Sequence, residues 1–170
     1  ADSRTIVFAV FRRFWEFPYP IRRFATIMTV IAGLFFSSVL HAAAGKITVE
    51  NDPGGSIRQR VDLISSLKRA NTFVEIRGRY CFSACTLYLA LGRVCVMDTT
   101  IFGFHGPASP VYGLSLPPRE FEYWSKVMAD HYPEPVRAWF LKTGRFRTVG
   151  FYEIKGAQLI EYGIPQCKSV

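Results

Sequence analysis

From Phe24 to Gly45 the chain runs for 22 residues without an Asp, Glu, Lys or Arg. No other feature restricts its folding as much, because a helix of that length reaches across ~30 Å of hydrocarbon. Nothing polar alternates through the run, as the solvent face of a surface helix would require. Arg22-Arg23 stands immediately before it, and Ala42-Ala43-Ala44 closes it with small residues. A basic flank, an apolar core from Ala25 to Leu40 and a small-residue exit describe a secretory signal, with cleavage expected after Ala44. The rival reading is a retained anchor, with Arg22-Arg23 on the cytoplasmic side. The stretch Phe11, Phe14, Trp15, Phe17 and Tyr19 among arginines suits the headgroup layer and favours that anchor. Under both readings residues 1–44 are an address, and residues 45–170 form one domain beyond a membrane.

Composition sharpens this division. The net charge is +8, and the first 44 residues hold five basic and two acidic side chains, so +5 falls on the remaining 126. A hydrophobic share of 49% excludes a disordered polymer or a collagen-like repeat. Cys81, Cys85, Cys95 and Cys167 all lie in the exported part, where an oxidising compartment permits two disulfides in any of three connectivities. Cys81 and Cys85 have no second ligand pair nearby, so the spacing calls for no metal, and nothing in the chain calls for a cofactor. No nucleic-acid-binding motif is present.

Strand and helix signals then alternate. Lys46–Glu50 is β-rich and ends at Asn51-Asp-Pro-Gly-Gly55. Ser56 is placed to cap a helix carrying Val61, Leu63, Ile64 and Leu67. Thr72–Ile76 reads as a strand and Ser83–Leu91 as a buried helix. Val94–Met97 and Thr100–Phe104 are strand-like and lead into His105. Turn formers fill Pro107–Pro118, and a helix with Phe121, Trp124, Val127 and Met128 on one face follows. Val136–Lys142 and Lys155–Tyr162 read as two further helical pieces, separated by a basic linker. The alternation predicts βαβ units and a mostly parallel sheet.

Three candidates for chemistry follow strand ends, the edge where open α/β sheets bind ligands. Ser83 opens a helix, whose free N–H groups and dipole stabilise a nearby negative charge. An acyl-transfer nucleophile needs this, since its tetrahedral intermediate carries an oxyanion. Gly54-Gly55 allows close backbone approach to a ligand, and His105 is placed to serve as the base.

The strings Asn51-Asp-Pro-Gly-Gly55, Gly78-x-x-Cys-Phe-Ser-Ala-Cys-Thr86, Gly103-Phe-His105-Gly-Pro107 and Gly156-Ala-Gln-Leu-Ile-Glu-Tyr-Gly-Ile164 resemble, in order, the motifs of the Clp protease proteolytic subunit. With the export signal, the Cys-x-Ser-Ala-Cys form is similar to the periplasmic ClpP-like proteins of bacteria. The resemblance spans residues 46–164 and implies a ClpP/crotonase-like α/β fold of repeated β-α-β units, preceded by the N-terminal hydrophobic helix. It implies a serine peptidase with Ser83 as nucleophile, His105 as general base, and Gly55 and Ala84 supplying the oxyanion N–H groups. It also implies periplasmic location, with anchorage in the inner membrane if residues 24–44 stay uncut. A peptide or protein is then the substrate. The helix bearing Phe121 and Trp124 corresponds to one that mediates subunit contacts in the family, which suggests a homo-oligomer or a membrane-complex partner.

The family's third catalytic residue is an Asp. Counting back from Gly163 places Phe151 at that position, with Glu153 the nearest carboxylate and the candidate third member. Asp98, Asp130, a Ser–His dyad and a Ser–Lys arrangement through Lys155 stay open. So does a degenerate accessory or scaffold subunit. A disulfide from Cys81 to Cys95 is expected to pin the turn at Ser83 to the next strand, with Cys167 tying down the C-terminus.

Overall fold

A computed structural model describes residues 45–109, 111 and 114–169 of the chain. The expected N-terminal hydrophobic helix, and the choice between cleaved signal and anchor, lie outside the described residues. Among the described residues no helix is long and apolar enough to cross a membrane.

The chain shuttles between two three-stranded sheets. Strand β1 (Lys46–Val49) leads through helix α1 (Ile57–Arg69) to β2 (Phe73–Ile76) and then β3 (Tyr80–Phe82). A 3-10 helix, Ser83–Ala90, returns the chain to β4 (Val94–Val96), and β5 (Ile101–Phe104) follows. Helices α2 (Pro118–Ala129) and α3 (Val136–Lys142) precede β6 (Tyr152–Lys155) and α4 (Gly156–Glu161). One sheet has the order β1-β2-β4 and is wholly parallel. The other has the order β3-β5-β6, with β3 and β5 parallel and β6 antiparallel to β5. Thus β2 and β4 lie in the first sheet and the strand after each, β3 and β5, in the second. Strand β1 precedes β2 in the first sheet, and β6 follows β5 in the second.

Local chemistry explains most of these bounds. The Ser56 hydroxyl accepts from the Gln59 N–H at 3.4 Å and starts α1. Ile64 is its buried anchor, with Val61 and Leu67 packed beside it, while Leu63 turns to solvent rather than joining that face. The 3-10 helix is apolar and buried from Ala84 to Leu89, as a segment threaded between two sheets must be. Phe102 and Phe104 are fully buried on one face of the second sheet. There Phe104 meets Tyr132 and Trp139 edge-on, so α3 covers that face. The opposite face, which carries Tyr80, Phe82 and Gly103, is the one that leads to the candidate residues.

Two strands escape the periodicity of the sequence. β3 is only three residues long, and β6 lies in what reads as a basic linker. Both exist because a partner strand supplies their hydrogen bonds: β5 is flanked by β3 on one side and by β6 on the other.

Candidate active site

Ser83 follows the last residue of β3 and opens the 3-10 helix in the left-handed region, at φ 54°. Few non-glycine residues adopt this conformation, which costs ~1–2 kcal/mol. A sharp strand-to-helix turn of this kind lifts a side chain clear of the backbone, as a nucleophile elbow does. Neighbouring contacts hold it. The buried Thr86 hydroxyl donates to the Ser83 carbonyl at 2.7 Å, and the Tyr132 hydroxyl lies 2.8 Å from the same Thr86 oxygen. With Thr86 donating to Ser83, Tyr132 is the donor to Thr86.

His105 is the first residue beyond β5, and its Nε2 lies 2.7 Å from Ser83 Oγ. With the Ser83 hydroxyl donating to Nε2, the neutral ring carries its proton on Nδ1. Burial pushes the imidazole below its ordinary value of 6.5, opposed by a backbone hydrogen bond with Gly106. The ring is therefore neutral, and able to accept a proton, around pH 7.

The glycine turn lies against the same elbow. Gly54 has φ 105° and Gly55 has φ 125°. A Cβ added at Gly54 would lie 2.5 Å from Ser83 Cβ, 2.7 Å from the Phe82 carbonyl oxygen and 3.0 Å from the Ala84 nitrogen. At Gly55 a Cβ would meet nothing within 4 Å, so the space beside it is open. The Gly54 N–H is committed to Asp52 Oδ1 at 2.8 Å. The N–H groups of Gly55 and Ala84 have no acceptor among the described residues. Ala84 is in the first turn of its helix, where the N–H lacks an intrahelical partner.

The expected third member does not meet the histidine. The register pairs Gly103 with Glu153 across β5 and β6, so continuing it by two residues brings Phe151 opposite His105. Their rings meet edge-on, with centroids 5.3 Å apart. Glu153 shares that face but lies two residues further along the strand, ~7 Å away. It is exposed and lines a 290 Å³ pocket with Val136, Trp139 and Tyr162, a pocket whose lining includes neither Ser83 nor His105. Lys155 lies further still, opposite Ile101. Asp130 pairs with Arg137 on the surface at 3.0 Å, and Asp98 is exposed. Among the described residues no carboxylate is hydrogen-bonded to His105. The absence of a side chain on Gly103 admits Phe151, since a Cβ there would lie 2.6 Å from Phe82 and 2.9 Å from Phe151. Tyr80, Phe82 and Phe151 therefore stack in a row that ends at His105.

The disulfide expectation needs correcting. Cys81 is bonded to Cys85, and Cys95 to Cys167, rather than Cys81 to Cys95. Cys81 and Cys95 lie on strands of different sheets, and the lateral neighbours of Cys81 are Phe102 and Asp52. The turn after β3 carries Cys85 back to within 5.3 Å of Cys81, Cα to Cα, so the bond closes a loop around Ser83. The open edge of β4 instead receives the C-terminal segment, with the Val96 N–H donating to the Pro165 carbonyl and the Cys167 N–H to that of Val96. This pairing puts Cys167 beside Cys95. These two bonds suit an oxidising, exported environment.

No family model matches the chain, and no curated protein matches its sequence. Among solved structures it is similar to a mutant of the 1510-N membrane-bound stomatin-specific protease in complex with a substrate peptide, with a TM-score of 0.56 at 15% identity. The match covers 83% of this chain and 64% of that one, so the chain spans less than two thirds of its length. At this identity the likeness is one of fold. The domain shares the fold of that protein.

Sequence motifs assign no role to Asp52, Arg60, Tyr88 or Thr86, although Thr86 bonds the elbow, Asp52 and Arg60 bond the glycine turn, and Tyr88 holds Arg60. Asp52 alone left a signal, as an Asp two residues before a turn amide it can accept from.

Proposed function

We propose that the chain is an exported ClpP-like serine hydrolase acting on peptide bonds through Ser83 and His105. The observation that carries this reading is the 2.7 Å contact between Ser83 Oγ and His105 Nε2, made by a serine at φ 54° beside a glycine turn with a free amide. Ser83 Oγ attacks the peptide carbonyl carbon while its proton passes to His105 Nε2. The carbonyl oxygen becomes an oxyanion, held by the N–H groups of Gly55 and Ala84. Collapse breaks the C–N bond, and the imidazolium returns its proton to the departing amine. Water then enters by the same steps in reverse order and frees Ser83.

On this reading the base is a dyad histidine oriented by Phe151 and Gly106, with no carboxylate to stabilise the imidazolium. Loss of the orienting acid costs a serine protease ~10⁴ in kcat, so slow turnover is expected. The same Phe151 contact favours the second reading, a ClpP-like accessory or scaffold subunit that has lost catalysis. Periplasmic location, an anchor in residues 24–44 and self-association through the helix bearing Phe121 and Trp124 complete the proposal.

Hydrolysis of an unfolded protein such as reduced casein tests it. Cleavage by the wild-type chain that vanishes in Ser83→Ala and in His105→Ala supports the hydrolase. Folded wild-type chain that leaves casein intact during prolonged incubation favours the scaffold.

A further inference from the structure

Arg60, on the first turn of α1, holds the glycine turn and the nucleophile's helix together. Its Nη2 lies 2.7 Å from Asp52 Oδ2 and 3.4 Å from the Gly54 carbonyl oxygen. Its Nη1 donates to the Tyr88 hydroxyl, and the guanidinium lies over the Tyr88 ring, 4.5 Å from the centroid. Tyr88 belongs to the helix that Ser83 opens. Asp52 is occupied on both oxygens, Oδ2 by Arg60 and Oδ1 by the Gly54 N–H. Its backbone is also tied to β3, accepting from Phe82 at 2.9 Å and donating to Tyr80 at 3.2 Å. The Arg60 and Asp52 side chains are only 12% and 18% exposed, so solvent screens this pair less than a surface ion pair.

This arrangement has a direction. Of the two adjacent amides in the turn, it consumes the one at Gly54 and leaves the one at Gly55 free. A left-handed glycine pair has many backbone states available, and an amide that wanders loses its worth as an oxyanion donor. We propose that Asp52, Arg60 and Tyr88 are positioning residues that aim the Gly55 N–H at the oxyanion formed on attack by Ser83. The proposal rests on the hydrolase reading above. None of the three touches the reacting atoms. Asp52 fixes the turn by taking the Gly54 amide, Arg60 fixes Asp52, and Tyr88 fixes Arg60 relative to the helix that carries the nucleophile.

The test uses the full chain and two probes: a fluorophosphonate that phosphonylates an activated serine with loss of fluoride, and phenylboronic acid, which forms a reversible tetrahedral adduct on one. Rates are expressed per folded molecule, with circular dichroism reporting the fold. Asp52→Ala is expected to slow labelling about 100-fold, the range for loss of one oxyanion donor, and to weaken boronate binding in step. Asp52→Asn keeps an oxygen able to accept from Gly54 and is expected to stay within about tenfold of wild type, rescuing most of the loss. The midpoint of labelling against pH, set by His105, stays where it is in every variant. Should Asp52→Ala fail to fold, Tyr88→Phe removes one hydroxyl and is expected to slow labelling about threefold to tenfold.

Wild-type labelling rates in folded Asp52→Ala, or in Tyr88→Phe if that variant carries the test, overturn the proposal. Equal losses in Asp52→Asn and Asp52→Ala also overturn it, since charge rather than the Gly54 bond would then be at stake. Wild-type chain that never labels overturns the hydrolase reading instead, and is distinguishable because it is seen before any variant is made.

Discussion

Two adjacent glycines with similar backbone angles should respond very differently to alanine. Gly54 and Gly55 have φ 105° and 125°, so any side chain at either position costs ~1–3 kcal/mol of backbone strain. Only Gly54 adds a collision, with its new Cβ 2.5 Å from Ser83 Cβ and 2.7 Å from the Phe82 carbonyl. These neighbours are backbone or next to it, and cannot swing away as the end of a flexible side chain would. Overpacking of this kind adds ~1–3 kcal/mol. Gly54→Ala is therefore expected to lose about 2–6 kcal/mol in urea unfolding and Gly55→Ala about 1–3 kcal/mol. The fluorophosphonate rate should separate further. Gly54→Ala pushes the nucleophile itself and is expected to lose about 100-fold or more, whereas the space beside Gly55 accepts the methyl and the loss stays near tenfold. Equal losses of stability and of rate in the two variants would refute the claim that Gly54 is packed against the elbow.

Phe151→Asp places a carboxylate where the register puts Phe151 opposite His105. Labelling should rise at least about tenfold even as the lost ring costs ~2–4 kcal/mol of stability, and a folded variant with no gain in rate would sink the assignment of that position. Because burial lowers the His105 pKa, labelling of the wild type should fall as pH drops through a midpoint below the ordinary value of 6.5. The unfolded chain binds the extra proton in that window, so stability falls with the same acidification, and a midpoint above 7 would contradict a buried, carboxylate-free histidine. The two disulfides should separate by function. Closing the 72-residue separation between Cys95 and Cys167 contributes about 4 kcal/mol against about 2 kcal/mol for the four-residue one between Cys81 and Cys85. Cys167→Ser should therefore lose more in unfolding, and the Cys81→Ser/Cys85→Ser double variant more in labelling per folded molecule. The reverse order would refute that division.

The parts legible in the sequence are those set by near neighbours. Ser56 announces its helix because a cap acts within three residues, and the apolar run after Ser83 announces a buried helix by composition alone. Ser83, His105 and the Gly54-Gly55 turn were visible because each follows a strand end. What stayed hidden depends on pairing between distant segments. β3 and β6 are three- and four-residue strands whose existence rests on β5 between them, and no local pattern of so few residues declares it. The same register decides that Phe151, and not Glu153, reaches His105. An offset of two keeps a side chain on the right face but moves it a full repeat along the strand. Cysteine connectivity was misread for a related reason, since Cys81 and Cys95 belong to different sheets although close in sequence. Asp52 and Arg60 are eight residues apart across a turn and the start of a helix, and only the folded turn brings their charges together.

The central claim is that Ser83 is an activated nucleophile. Intact-mass and peptide mapping after fluorophosphonate treatment tests it most directly. One adduct per chain, mapped to Ser83, lost in Ser83→Ala and slowed at least about 100-fold in His105→Ala, is the predicted result. Folded wild-type chain that stays unmodified, or an adduct that persists in Ser83→Ala, would contradict it.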